Sequence, residues 1–271
     1  MAKELAILVI HGMGSQDPDF AEPMINELNQ RVDDLGRDSS EIAWRSIYWA
    51  DILEPRQQKY FNSAKRSGDL DYTGLRKFMI TAFGDASAYQ KVDSSHNSTY
   101  AQIHQRVTQE IDLLYATDLN SRPKPMLVLA HSLGGHIISN YTWDMQKGSS
   151  TAPSPFQRME KLAGMITFGC NIPFFTFAYP DVIPIKFPPS QLPPNLKSKA
   201  RWFNFYDPDD ILGYPLKPLS PEYRKVVTRD IPINVGSFLS SWNPASHSGY
   251  WTDNDFTRPA VRFIATFLQH I

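Results

Sequence analysis

An α/β fold, with a mostly parallel central sheet flanked by helices, is predicted by three observations. Short aliphatic runs such as "LAILVI" and "MLVL" have the near-continuous apolar character of strands buried on both faces. Amphipathic stretches at helical spacing separate them. Glycines and turn residues punctuate the changes from one period to the other.

Leu5 to Ile10 is the first strand, closed by "HGMG". Met24, Ile25, Leu28 and Val32 recur at helical spacing and Gly36 ends that segment, so a helix follows. "IAWRSIYW" reads as a second strand, completing a β-α-β unit. Tyr100, Ile103, Val107, Ile111 and Leu114 mark one face of a longer helix, and after the turn-rich "LNSRPKP" a strand runs from Met126 to Leu129. Further strands are expected at Ala163 to Phe168, at Ala200 to Tyr206 and, less regularly, near Val226 to Val235; Val261, Ile264, Ala265 and Leu268 mark a closing helix. This alternation predicts a single α/β domain over residues 1–271. Two insertions break its rhythm. Residues 52–98 contain "GLRKFMITAF", with Leu75, Phe78, Met79, Ala82 and Phe83 on one wide apolar face; residues 171–199 interleave seven prolines with Phe174, Phe175, Phe177, Tyr179 and Phe187. Long non-repetitive segments of this kind often serve as lids or pocket walls, although core packing plus a stiff surface loop explains the first equally well.

Composition narrows the function. At 42% hydrophobic and 20% charged, the 271-residue chain has the make-up of a globular protein, and no apolar run reaches the roughly 18 to 20 residues of a membrane span. Met1-Ala2-Lys3-Glu4 leads directly into an aliphatic strand without the features of a signal peptide. A formal net charge of -1 without a Lys/Arg cluster provides no footprint for nucleic acid. The only cysteine, Cys170, excludes an internal disulfide and a cysteine-rich zinc site, and a reducing, cytoplasmic setting is expected. No His-Glu-x-x-His, calcium-loop, Walker A or dinucleotide fingerprint occurs, so no metal and no cofactor is expected.

The chemistry centres on "PMLVLAHSLGGH". A serine hydroxyl is a weak nucleophile that must be exposed, given a base and faced by oxyanion donors. Here a buried strand runs into Ser132 and straight on into Gly134, Gly135 and a helix carrying Ile137, Ile138 and Tyr141. The small residues Ala130 and Gly134 let strand and helix approach closely enough for a sharp turn at the serine.

Ala130-His131-Ser132-Leu133-Gly134 resembles the Gly-x-Ser-x-Gly nucleophile elbow of the α/β-hydrolase superfamily, with alanine in place of the first glycine. The resemblance implies the α/β-hydrolase fold, with the insertions as a helical or loop cap. His11-Gly12-Met13-Gly14 stands after the first strand, where lipases and esterases of this superfamily carry an oxyanion loop. The oxyanion donors implied are the backbone amides of Met13 and Leu133. The remaining partners are expected in the order acid, then histidine. Of the downstream histidines, His136 lies one helical turn past the elbow and reads as a packing residue, and His270 is the penultimate residue. His247, in the loop "NPASHSGYW" ahead of the last helix, is the expected base. In "YDPDDILGYPL", Asp210, followed by Ile211-Leu212 and then Pro215, best fits the family's acid; Asp207, at the strand end, is the alternative.

The expected function is that of a serine hydrolase, a carboxylesterase acting on short- to medium-chain acyl esters through Ser132, His247 and Asp210 and an acyl-enzyme. A lipase or acyltransferase acting on longer chains, and a non-catalytic ligand-binding protein of the same fold, are the alternatives. The partner expected is a small hydrophobic ester, with its binding residues and the oligomeric state left open.

Overall fold

The structure is a computed structural model that describes residues 2–91, 98–148, 154–235 and 246–269, without the side chains of 246–248. Six strands, β1 (Leu5–Ile10), β2 (Ile42–Ile47), β3 (Met126–His131), β4 (Leu162–Phe168), β5 (Arg201–Tyr206) and β6 (Arg229–Pro232), form one sheet in the order β2-β1-β3-β4-β5-β6. Every pairing is parallel. A parallel sheet is stable only when both faces are covered, and accordingly every residue of β1, β3 and β4 is buried.

The helices among the described residues are α1 (Glu22–Asp34), α2 (Glu54–Ser67), α3 (Thr73–Ala88), α4 (Thr99–Leu113), α5 (Leu133–Lys147), α6 (Ile172–Thr176), α7 (Pro194–Lys197), α8 (Pro221–Val226) and α9 (Asn254–Ala265). Two contacts with β4 show how they are distributed. A Cβ on Gly164 would meet Phe263 of α9 at 2.6 Å, and a Cβ on Gly135 of α5 would meet Thr167 at 3.4 Å. Residues 164 and 167 are an odd number of positions apart and point to opposite faces of the strand. Thus α9, with α1 packed beside it, covers one face, and α5, with α4 beside it, covers the other.

Three expected boundaries shift for physical reasons. β2 ends at Ile47, short of "YW", because the Trp49 amide leaves the ladder to donate to His11 Nε2 at 3.0 Å. β6 is shorter than the expected span from Val226 to Val235. Ser220 caps a helical turn by accepting from the Tyr223 amide, Pro221 occupies its first position and Val226 ends it. Leu268 lies beyond the end of α9 yet is buried with it.

The first insertion is an α2–α3 helix pair. Ala82 is buried, whereas Leu75, Met79 and Phe83 are exposed, so much of the apolar face read from the sequence lies on the surface. Thr81, Ala82 and Asp85 form the side of α3 that is buried.

Candidate active site

Parallel pairing places the C-terminal ends of β1, β3 and β4 side by side, with Ile10 opposite Ala130 and Ala130 opposite Thr167. Ser132 stands between β3 and α5 with φ 51° and ψ −124°. Positive φ in a non-glycine residue is strained by about 1–3 kcal/mol and persists only where its surroundings impose it. The surroundings here are tight. The Ser132 amide donates to the Phe168 carbonyl at 2.9 Å, continuing the β3–β4 ladder, while its carbonyl accepts from the Gly135 amide at 3.0 Å, opening the helix. Strand and helix thus both claim the residue, and the turn between them falls on it.

The neighbouring glycines have distinct duties. A Cβ on Gly134 would sit 2.5 Å from the His11 carbonyl oxygen and 2.9 Å from that of Ile10, so α5 starts against the end of β1. A Cβ on Gly12 would sit 2.5 Å from Ser132 Cβ and 3.1 Å from its Oγ. The "HGMG" loop is therefore in direct contact with the elbow serine. Ala130, which departs from the superfamily pattern, is fully buried in β3 with ordinary pairing on both sides.

His11 holds this loop from within. Its Nε2 accepts from the Trp49 amide at 3.0 Å, so its one remaining proton is on Nδ1 and is donated to the Gly12 carbonyl at 2.7 Å. The ring stacks on Trp49 with centroids 4.8 Å apart, and burial lowers its pKa to about 4. A neutral imidazole with both nitrogens engaged is a strut, not a base. Because the Gly12 carbonyl and the Met13 amide share one peptide plane, this bond sets the direction of the Met13 N–H.

The next peptide is held from outside the sheet. The Gly14 amide donates to Asp85 Oδ2 at 2.8 Å, and Gln57 Nε2 donates to Asp85 Oδ1 at 2.6 Å. Burial raises the Asp85 carboxyl to about pKa 6, against the lowering effect of these two donors. Sequence reading passed over Asp85 because only the fold brings residue 85 to residue 14. That Asp85 is the one charged residue in the α3 segment "ITAFGDASA" was the available signal.

The two candidate acids differ in what holds them. Asp207 accepts from the Asp209 amide at 2.8 Å and from the Val235 amide at 2.6 Å, closing its own turn and tying it to the chain beyond β6. Asp210 accepts from the Leu212 amide at 2.9 Å and from the Tyr250 hydroxyl at 2.9 Å. The same hydroxyl accepts from the Asp207 amide at 2.8 Å. Tyr250 belongs to the 3-10 turn Ser246–Thr252, and His247 lies in that turn one 3-10 repeat earlier. The His247 side chain lies outside the described residues, as does His270.

The remaining histidines near the elbow are built into packing. His131 is buried among the rings of Phe168, Tyr250 and Trp251. His136 stacks on Phe175 at 4.2 Å, is within hydrogen-bond distance of Asn140 Nδ2 at 3.1 Å, and is lowered to about pKa 3 by burial. The Cys170 thiol, raised to about 12 by burial, is no nucleophile at neutral pH.

A cavity of about 420 Å³ runs along α5 from His136 to Asp144. Tyr89, Trp143, Phe174, Phe175 and Tyr179 give it aromatic walls, and much of its lining comes from the segment after Asn171. The exposed Leu75, Met79 and Phe83 do not line it. A second hollow of about 460 Å³ lies between the face of β5 and β6 and α9; Ser132 is itself fully buried, not exposed as a nucleophile was expected to be, and neither it nor Met13, Leu133 or Asp210 lines either cavity. No helix is long and apolar enough to cross a membrane, and no cluster of metal-ligating side chains occurs among the described residues.

Sheet, covering helices and strained elbow together define the α/β-hydrolase fold class. Among solved structures the chain is similar to a dienelactone hydrolase from Anabaena variabilis ATCC 29413, at 12% sequence identity and a TM-score of 0.45, over 99% of this chain and 88% of that one. No protein-family model matches the sequence, and no curated protein matches it.

Proposed function

We propose that the protein is a serine hydrolase of carboxylic esters, a carboxylesterase for short- to medium-chain acyl groups. The observation that carries this reading is the backbone of Ser132, held at φ 51° on a strand-to-helix turn with Gly12 of the "HGMG" loop against its side chain. A strained serine touching a loop of oriented amides is the arrangement acyl transfer requires, and a solvated turn serine has no need of it.

In this reading Ser132 Oγ attacks the ester carbonyl while His247 takes its proton. The amides of Met13 and Leu133 receive the oxyanion. Collapse breaks the bond to the alkoxy group, which leaves as the alcohol with the proton from His247, and an acyl-enzyme remains. Water then attacks with His247 again as base, the acid is released, and Ser132 recovers its proton. Asp210 orients the imidazole and stabilises its cation; its support is the bond from Tyr250, which ties the acid to the turn containing His247. We further propose that the cavity along α5 receives the apolar part of the substrate, consistent with its aromatic walls.

The test is ester hydrolysis across a series of acyl lengths, with Ser132→Ala beside the wild type. A maximum at short to medium chains and loss of turnover in folded Ser132→Ala are expected. Wild-type turnover in Ser132→Ala would remove the assignment, and a maximum at long chains would favour a lipase.

A further inference from the structure

Asp85 is buried, only 3% exposed, and takes part in no ion pair among the described residues. An unpaired buried carboxylate is an expensive way to fasten two helices, which an apolar contact would do at lower cost. Its geometry offers another reason for it. One oxygen receives Gln57 of α2 and the other receives the Gly14 amide. Space has been made for this arrangement: a Cβ on Gly84 would come within 3.1 Å of Gln57 Nε2. Three separate parts of the chain, α2, α3 and the loop after β1, therefore converge on one carboxylate.

We propose that Asp85 is a positioning residue for the ester-hydrolysing site, acting through Gly14 to hold the Gly12–Gly14 loop where the Met13 amide meets the oxyanion. The Met13 amide lies in the peptide whose carbonyl is held by His11, and the following peptide is held by Asp85. With both planes fixed, the backbone dihedrals of Met13 have little freedom to reorient its N–H. Gly14, at φ 92°, would otherwise be the loop's most permissive joint. The α2–α3 insertion thus contributes to catalysis by bracing the oxyanion loop from outside the sheet, apart from any service as a cover.

This inference rests on Ser132 being the nucleophile and Met13 an oxyanion donor, and the experiment separates the two claims. The rate of covalent labelling by a fluorophosphonate probe is measured for wild type, Ser132→Ala, Asp85→Ala, Asp85→Asn and Gln57→Leu, along with kcat and KM on one ester. Asp85→Ala is expected to label about 10- to 100-fold more slowly and to lose a similar factor in kcat with KM within about twofold, since an oxyanion donor acts in the transition state. Asp85→Asn, which keeps an acceptor for Gly14 once the Gln57 amide flips, is expected within about fivefold of wild type. Gln57→Leu, which leaves Gly14 its partner but frees the carboxylate on its other side, is expected to lose a few-fold in kcat, and it decides the matter if Asp85→Ala does not fold. A labelled wild type with folded Asp85→Ala labelling at the same rate overturns the inference alone, as do equal losses in Asp85→Ala and Asp85→Asn, a loss confined to KM, or an unaltered Gln57→Leu where Asp85→Ala does not fold. A wild type that does not label, or a Ser132→Ala that labels as well as wild type, overturns the serine hydrolase reading itself.

Discussion

Gly12 and Ser132 occupy adjoining space so closely that a single methyl group on residue 12 would lie 2.5 Å from Ser132 Cβ. Neither side has room to retreat, because Ser132 is bonded into both β3 and α5 and Gly12 into the His11 imidazole. Gly12→Ala is therefore expected to push loop and elbow apart. Overpacking of this kind costs about 1–3 kcal/mol, and displacement of the oxyanion loop should reduce kcat about tenfold or more. Paired measurements of kcat and thermal unfolding check this; an alanine tolerated in both would show that the loop is softer than its contacts imply.

Asp207 and Asp210 stand three residues apart, and their roles are separable by mutation. Asp210→Asn is expected to lower kcat by about 10³- to 10⁴-fold, the effect of failing to hold the correct imidazole tautomer, with a smaller loss of melting temperature than Asp207→Asn because the Tyr250 hydroxyl can turn to accept from the new amide. Asp207→Asn puts an amide where two backbone N–H groups need acceptors, and a lost or mismatched buried hydrogen bond costs about 1–3 kcal/mol. Its kcat should stay within about tenfold of wild type. The reverse pattern would make Asp207 the acid.

Gly135 and Cys170 form a pair whose mutations should not add. A Cβ on Gly135 would lie 2.8 Å from Cys170 Sγ, so Gly135→Ala alone is expected to destabilise despite the better helix propensity of alanine, worth about 1 kcal/mol. In a Cys170→Ala background the sulfur is gone and most of that cost should vanish. Denaturant titrations of the four proteins give a coupling energy, expected at about 1–2 kcal/mol; a value near zero would mean that the helix shifts to accept the methyl group.

Acid should weaken the fold in a defined window. Burial lowers His11 to about 4, His104 to about 4 and His136 to about 3. In the unfolded chain each protonates near 6.5, so the unfolded state binds more protons as pH falls below that value. The stability these neutral rings support is fully present above about pH 6.5 and is lost toward about pH 4, on the order of 3 kcal/mol for each of them. Asp85 works in the opposite sense. Its native pKa is raised to about 6 from an ordinary 3.8, so the native state takes up this proton first and recovers some stability as pH falls from 6 toward 4. Three groups against one leave a net loss. Urea midpoints should fall between about pH 7.5 and about pH 5, and fall more steeply in Asp85→Asn, where the opposing contribution is gone. A flat midpoint in the wild type would show that the buried rings are charged.

How much of this was legible in the chain depends on the range over which each signal acts. β1, β3 and β4 were readable to within a residue or two because they are buried as continuous apolar runs, and β5 because its aromatic-rich run is bounded by turn residues although only part of it is buried. The elbow at Ser132 was readable because one strand, one turn and one helix are consecutive in sequence, and the small residues that permit the turn are adjacent to it. The α2–α3 pair was less legible: its apolar positions largely face solvent, so hydrophobic spacing pointed to the wrong side of α3.

What the sequence determined by itself, then, was the local chemistry: alternating strands and helices, a serine on a sharp turn, a glycine-bounded loop ahead of it, and two acids in one short segment. Tertiary structure decided the partnerships. It placed Gly12 against Ser132 through the parallel pairing of β1 with β3, made His11 a neutral strut by supplying Trp49, joined Asp210 to the turn of His247 through Tyr250, and brought Asp85 seventy-one positions along the chain to the Gly14 amide. The physical reason is common to all four. A hydrogen bond or a close contact depends on distance and direction in space, and residues far apart in the chain acquire these only when the core that lies between them has packed.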